Sequence, residues 1–220
     1  MTIEPATPAE ELGERRWPMA LAVCTLVVLQ LILPDRIGHG WVRWAVAGLE
    51  LALLVALIAG DPGRIDRTSG ILRRVTLALI GILVAGSVLE TVKLVDWMLG
   101  KGANNARVLL GAGAAVWLSI MVAFALLYWA LDRGGPAERC HRTGRPNGFF
   151  FPQMQTPELA PDGWLPEFPD YLYLGFTNGI AFSPTDAMPA AHWAKILMMA
   201  QEILSIVVLV VVVSRAINVL

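Results

Sequence analysis

Charge is scarce in this chain. Only 16% of its 220 residues are Asp, Glu, Lys or Arg, and 17 basic residues stand against 18 acidic ones. A soluble domain carries about 25% charge. The even balance leaves no basic face to neutralise phosphates, so a nucleic-acid partner is excluded. Histidine is scarce too, with His39, His141 and His192 on three separate links. The two cysteines, Cys24 in an apolar run and Cys140 in a polar loop, form neither a disulfide framework nor metal-ligand spacing. No metal and no cofactor is expected. Also missing are a nucleophile elbow, a phosphate-binding glycine loop, a dinucleotide fingerprint and an intramembrane His-carboxylate constellation, so an enzyme reading has no starting point. No internal repeat is visible, and with it goes the signature of many secondary transporters.

Hydrophobicity is what the chain has in excess, 56% of its residues against about 45–50% in globular chains. The excess falls in five blocks, separated by short links that hold most of the Arg, Asp, Gly and Pro. That pattern predicts an all-α integral membrane protein, multi-pass in the cell membrane, with five transmembrane helices plus a short re-entrant helix before the last span. Residues 1–16, acidic with Pro5 and Pro8, read as a polar N-terminal tail. Residues 17–131 form a four-helix transmembrane region, with spans over about 17–33, 41–60, 75–99 and 108–131. The acidic leader and the Pro34-Asp35 that follows Leu33 argue for a first span that is retained and not a cleaved signal. Residues 132–170 contain seven of the fourteen prolines and aromatic clusters at Phe149 to Phe151, Trp164 and Phe168. They predict a structured extramembrane loop. In 171–220, the apolar piece Tyr171 to Phe182 has twelve residues, too few to cross ~30 Å of hydrocarbon, and is re-entrant or interfacial. A polar hairpin at 183–186 and a last span over about 193–213 complete the chain.

Short apolar helix, polar hairpin and full span together resemble the pore domain of the potassium-channel superfamily, whose loops read approximately F-x-T-x-T-T-V-G-Y-G-D-x-x-P. Setting Asp186 on the family's Asp puts Pro189 on its Pro and Phe176 on an upstream aromatic. Lys195 then matches the early basic residue of the inner helix, Arg215 the late one, and Ser205 the position of a bending glycine. The resemblance covers about 171–220. It implies a homo-oligomer, a tetramer favoured because one loop per chain needs four copies to close a pore axis. Thr177 and Asn178 would lie where the family places hydroxyls supporting its filter. At the filter itself the sequence departs, since Ala181-Phe182-Ser183-Pro184-Thr185 stands in place of T-V-G-Y-G. Without those glycines successive carbonyls cannot all turn toward an ion, and potassium selectivity is not implied. Over span four, the loop and the last span, the chain is more similar to a family of uncharacterised bacterial membrane proteins with an F-x-F-P element, here Phe149-Phe150-Phe151-Pro152.

Each candidate residue also has a structural reading. Asp186 suits a carboxylate ring at a pore mouth, or a turn and helix cap. Thr177 and Asn178 suit filter support, or satisfaction of a helix end at which Gly179 serves as a left-handed stop. Glu50, near the middle of span two, must be protonated, paired or facing water, with Lys93 and Arg107 as candidate partners. Glu90, Lys93 and Asp96 share one face of span three. Either Gln201 or Glu202 faces a cavity if the last span lines one; otherwise Glu202 is expected to hydrogen-bond between helices in its neutral form.

Three functions are open at this point. The first is a pore-loop channel passing an inorganic ion, the second a non-conducting membrane protein that binds a lipid or partner, and the third a small transporter. Orientation divides the cues. The tail, the 64–74 link and the start of the long loop hold ten Arg and Lys against six opposite, which puts that loop in the cytoplasm. The channel resemblance puts it outside.

Overall fold

The computed structural model describes residues 13–38, 40–100, 105–181 and 186–219. Two antiparallel ribbons of two residues per strand, β1 (Glu14–Arg15) with β2 (Arg64–Ile65) and β3 (Phe149–Phe150) with β4 (Met188–Pro189), are its only sheet among the described residues. Everything else of regular structure is helical: α1 (Trp17–Ile32), α2 (Gly40–Gly60), α3 (Gly70–Leu99), α4 (Ala106–Leu131), the short turns α5 (Pro136–Cys140) and α6 (Pro152–Gln155), α7 (Phe168–Ala181) and α8 (His192–Val219).

Local chemistry sets these bounds. Pro34 follows α1, and Asp61-Pro62-Gly63 stops α2, with Gly63 at φ +85° where a side chain would be strained. The Asn105 side chain caps α4 by accepting from the Arg107 and Val108 N–H groups at 3.0 and 3.3 Å. The helix α3 begins five residues earlier than the apolar run suggests, because Arg73 and Arg74 tolerate its first turn at the bundle's edge.

Four helices, α2, α3, α4 and α8, are long and apolar enough to cross a membrane, while α1 is a shorter apolar helix of roughly 24 Å. Their burial is inverted relative to a water-soluble bundle. In α2, α3 and α8 only 22–28% of the apolar window is buried, and Val55, Leu89, Ile203 and Val210 point outward. Hydrocarbon accepts such a surface and water does not. By contrast, α4 is 67% buried and forms the axis around which α1, α3, α7 and α8 pack. Gly113 permits the α8 approach, since a Cβ there would fall 2.5 Å from the Val212 side chain.

One end of the bundle is heavily polar. It gathers the starts of α1, α3, α7 and α8, the ends of α2 and α4, and the loop between α4 and α7. Residues 13–16, expected to belong to a loose tail, are part of this end. The Arg16 guanidinium meets Asp61 at 2.9 Å with both side chains 8% exposed, and Glu14 is buried. The His141 ring lies 2.7 Å from the Asp66 carbonyl, which ties the long loop to the α2–α3 link.

Candidate functional site

The segment from Phe168 to Ala190 is anchored at two depths. At the polar end, the Phe168 N–H donates to Glu14 Oε1 at 2.6 Å, and the Tyr171 hydroxyl donates to Asp132 Oδ2 at 2.5 Å. Asp132, fully buried, also accepts the Gly148 N–H at 2.6 Å through Oδ1. Arg139 completes the knot. It donates to the carbonyls of Trp129 and Asp132 at 2.6 and 3.0 Å, lies 3.6 Å from Glu14 Oε2, and stacks 4.9 Å from the Tyr171 ring centre. Burial pushes the Glu14 carboxyl up to about 7, against the opposing pull of Arg139 and the Trp129 and Phe168 N–H donors. The buried rings of Phe149, Phe151 and Phe168 wrap this knot, Phe149 5.2 Å from Tyr128 and Phe151 5.3 Å from Tyr171.

Farther in, Gln201 of α8 joins three helices. Its Oε1 accepts from the Tyr128 hydroxyl of α4 at 2.5 Å and from Asn178 Nδ2 of α7 at 3.1 Å, and its Nε2 donates to the Gly175 carbonyl at 2.7 Å. Asn178 donates to the Met198 carbonyl as well, at 3.1 Å. Gly175 makes the close approach possible, since a Cβ there would stand 2.9 Å from the Met121 carbonyl oxygen. Phe176 packs edge-on to Trp117 at 6.3 Å, and Gly179 faces Met121 and Ser205. Trp117 and Ser205 lie near the midpoints of α4 and α8. The far end of α7 thus stands at mid-height of the bundle. After Asp186 the chain is back at the polar end, where the Ala190 N–H donates to the Gly148 carbonyl at 2.8 Å.

Several candidate residues take places other than those expected. Asn178 is not at the end of its helix, because α7 continues to Ala181, and Gly179 is a packing position and not a left-handed stop. Thr177 turns its hydroxyl back to the Tyr173 carbonyl at 2.9 Å. Asp186, exposed, is six residues ahead of α8 and so does not cap it; it accepts from the Tyr173 hydroxyl at 3.4 Å. Phe182, Ser183, Pro184 and Thr185 lie outside the described residues. On α8 the interhelical partner is Gln201. The side chain of Glu202, half-buried on an adjacent face, makes no hydrogen bond or ion pair among the described residues, and Lys195 is exposed in the first turn. Ser205 is buried and bonds back to the Gln201 carbonyl at 2.8 Å. Arg215 reaches the Gly100 carbonyl at 3.4 Å.

Glu50 is 1% exposed, but the expected ion pair with Lys93 or Arg107 is absent among the described residues: Glu50 Oε2 has no hydrogen-bond partner, and Arg107 is exposed. Its electrostatic neighbour is Glu90, which also feels Lys93. Sequence reasoning missed Tyr128, Glu14, Asp132 and Arg139. Only one signal pointed to them, the run of aromatic anchors in the long loop, which requires a buried receptor at the end of α4.

No protein-family model, curated protein or solved structure matches the chain.

Proposed function

We propose that the chain is a homo-oligomeric, pore-loop-like membrane protein, in which α1 completes a set of five spans and α7 with residues 182–187 forms a re-entrant hairpin beside the oligomer axis. Its role on this reading is cation permeation without potassium selectivity. One observation carries it: both ends of the 168–190 segment are tied to the same end of the bundle, while Asn178 and Gly179 are held at mid-height by α4 and α8. A chain that reverses inside hydrocarbon requires surrounding protein or water for its backbone. The half-buried Glu202 supports a neighbouring copy, because a carboxylate inside hydrocarbon is costly unless it faces protein or water. Tyr173 and Asp186 are exposed, and the three symmetry mates of a tetramer would bring four Asp186 carboxyls together. The glycine-free stretch 182–185 supports the absence of potassium selection.

Purified protein in liposomes, sized in mild detergent, tests the proposal. An oligomer passing sodium and potassium at similar rates, with cation preference reduced in Asp186→Asn and flux raised in Phe182→Ala, is the expected outcome. A strict monomer, or a folded oligomer without flux, contradicts it.

A further inference from the structure

A cavity with an apolar wall and a basic rim opens at the polar end, where α2 and α4 finish and α3 begins. Leu57, Leu72, Leu77 and Trp129 line it, with the buried Arg16, the exposed Arg67, the half-buried Arg73, and Thr68, Ser69 and Gly70. Two acidic residues, Asp61 and Glu138, also line it, but each already has a cation. Asp61 pairs with Arg16, and Glu138 lies 3.5 Å from Arg145.

Three cationic features therefore have capacity left over. Arg73 is half-buried, and its side chain makes no hydrogen bond or ion pair among the described residues. Arg67, exposed, spends one nitrogen on the Gly60 carbonyl at 2.9 Å. Arg16, its side chain 8% exposed, gives one terminal nitrogen to Asp61 and leaves Nε with no acceptor. A fourth contribution comes from α3, thirty residues long, which begins in this cavity: Ser69 occupies its N-cap position with no side-chain cap bond. Its first N–H groups are thereby open to an anion, and the helix dipole favours one.

We propose that this cavity binds a phosphate ester anion, with the head group of an acidic membrane lipid as its source. The phosphate sits against the first turn of α3 between Arg67 and Arg73, and the hydrocarbon follows the wall from Leu72 toward Leu77. Depth supports a lipid over a soluble phosphate, because Gly70 to Leu77 descends roughly 10 Å along α3 into the apolar zone. Guanidinium forks match phosphate oxygens in two-point geometry, which an ammonium does not. This site does not depend on whether the hairpin conducts.

The test is tight binding of phosphatidylglycerol by the full chain, measured by native mass spectrometry and by thermal shift in mixed micelles against phosphatidylcholine. Arg73→Gln breaks no side-chain hydrogen bond or ion pair among the described residues, so the variant folds, and the loss of one charge-assisted bond to the phosphate weakens binding roughly tenfold. Its neighbour Arg74, which is exposed and outside the cavity, provides the control: Arg74→Gln changes net charge equally and leaves binding within about twofold. Ser69→Asp, which places a carboxylate on the open N–H groups, weakens binding as Arg73→Gln does. Inorganic phosphate and glycerol phosphate form the soluble arm. Competition by them at concentrations comparable to the lipid would assign the site to a free phosphate and overturn the lipid source. Equal losses in Arg73→Gln and Arg74→Gln would show general surface attraction and overturn the site.

Discussion

Replacing Gln201 with Leu tests the clamp that fixes α7 at mid-height. Gln201 and Tyr128 are both fully buried, so no water reaches the Tyr128 hydroxyl once its acceptor at 2.5 Å is gone. An orphaned buried hydroxyl costs about 1–3 kcal/mol. Asn178 keeps its bond to the Met198 carbonyl, so the lost Asn178 and Gly175 bonds add only about 1 kcal/mol each. The apolar gain from Leu returns part of this, leaving a net loss of about 3 kcal/mol. For a chain of this length that is on the order of 10 °C in Tm. Tyr128→Phe alone keeps the ring contacts with Phe124 and Phe149, 6.1 and 5.2 Å between centres, and costs about 1 kcal/mol. The double variant Tyr128→Phe/Gln201→Leu removes the orphan together with its acceptor. It should recover about 1–2 kcal/mol relative to simple additivity. Thermal unfolding in detergent, with proteolysis of the 182–190 segment as a local probe, reads both quantities. A Gln201→Leu protein as stable as wild type, or strictly additive losses, would refute the clamp.

Stability should also fall with rising pH through the Glu14 window. Its folded-state value near 7 exceeds the ordinary 4.5, so the folded protein holds the proton more tightly. The benefit is complete below about pH 4.5 and lost by about pH 7, at a slope of at most ~1.4 kcal/mol per pH unit. Glu14→Gln should flatten the Tm profile there, and an unchanged slope would remove Glu14 as its source. Gly175→Ala should be strongly destabilising because its methyl meets the Met121 backbone oxygen, whereas Gly179→Ala displaces only the flexible Met121 side chain; comparable melting temperatures for the two would contradict that packing. Glu50→Leu should match or exceed wild type in thermal stability, since no partner is stranded. A large loss in Leu with none in Gln would reveal a pairing.

Much of this architecture is written in the apolar runs. The helices α2, α4 and α8 begin within about two residues of where the hydrophobic blocks begin, and the twelve-residue piece before the last span is a short helix, shifted to 168–181. Bilayer length and backbone satisfaction act locally along the chain, which makes them readable. The polar wiring is not local. Glu14 meets Trp129 and Phe168 across more than a hundred residues, and in the sequence it is one of several acidic residues in an apparently loose tail. Gln201 and Glu202 are adjacent, and their roles divide according to which side of α8 meets α4, a fact that periodicity alone does not supply. The position of Glu50 in an apolar run requires it to be protonated, paired or facing water, but whether Lys93 or Arg107 pairs with it depends on the rotation of α2 against α3, and the structure shows no such pair among the described residues.

The central claim, that residues 168–190 enter and leave the bundle at one end, is tested most directly by sided labelling. In a Cys24→Ser/Cys140→Ser background, which removes both native thiols, Glu167→Cys and Ala190→Cys place single thiols at exposed positions flanking the segment. A membrane-impermeant maleimide added to sealed vesicles of known orientation should reach both from the same side. Labelling of the two from opposite sides would make the segment a full crossing and contradict the account.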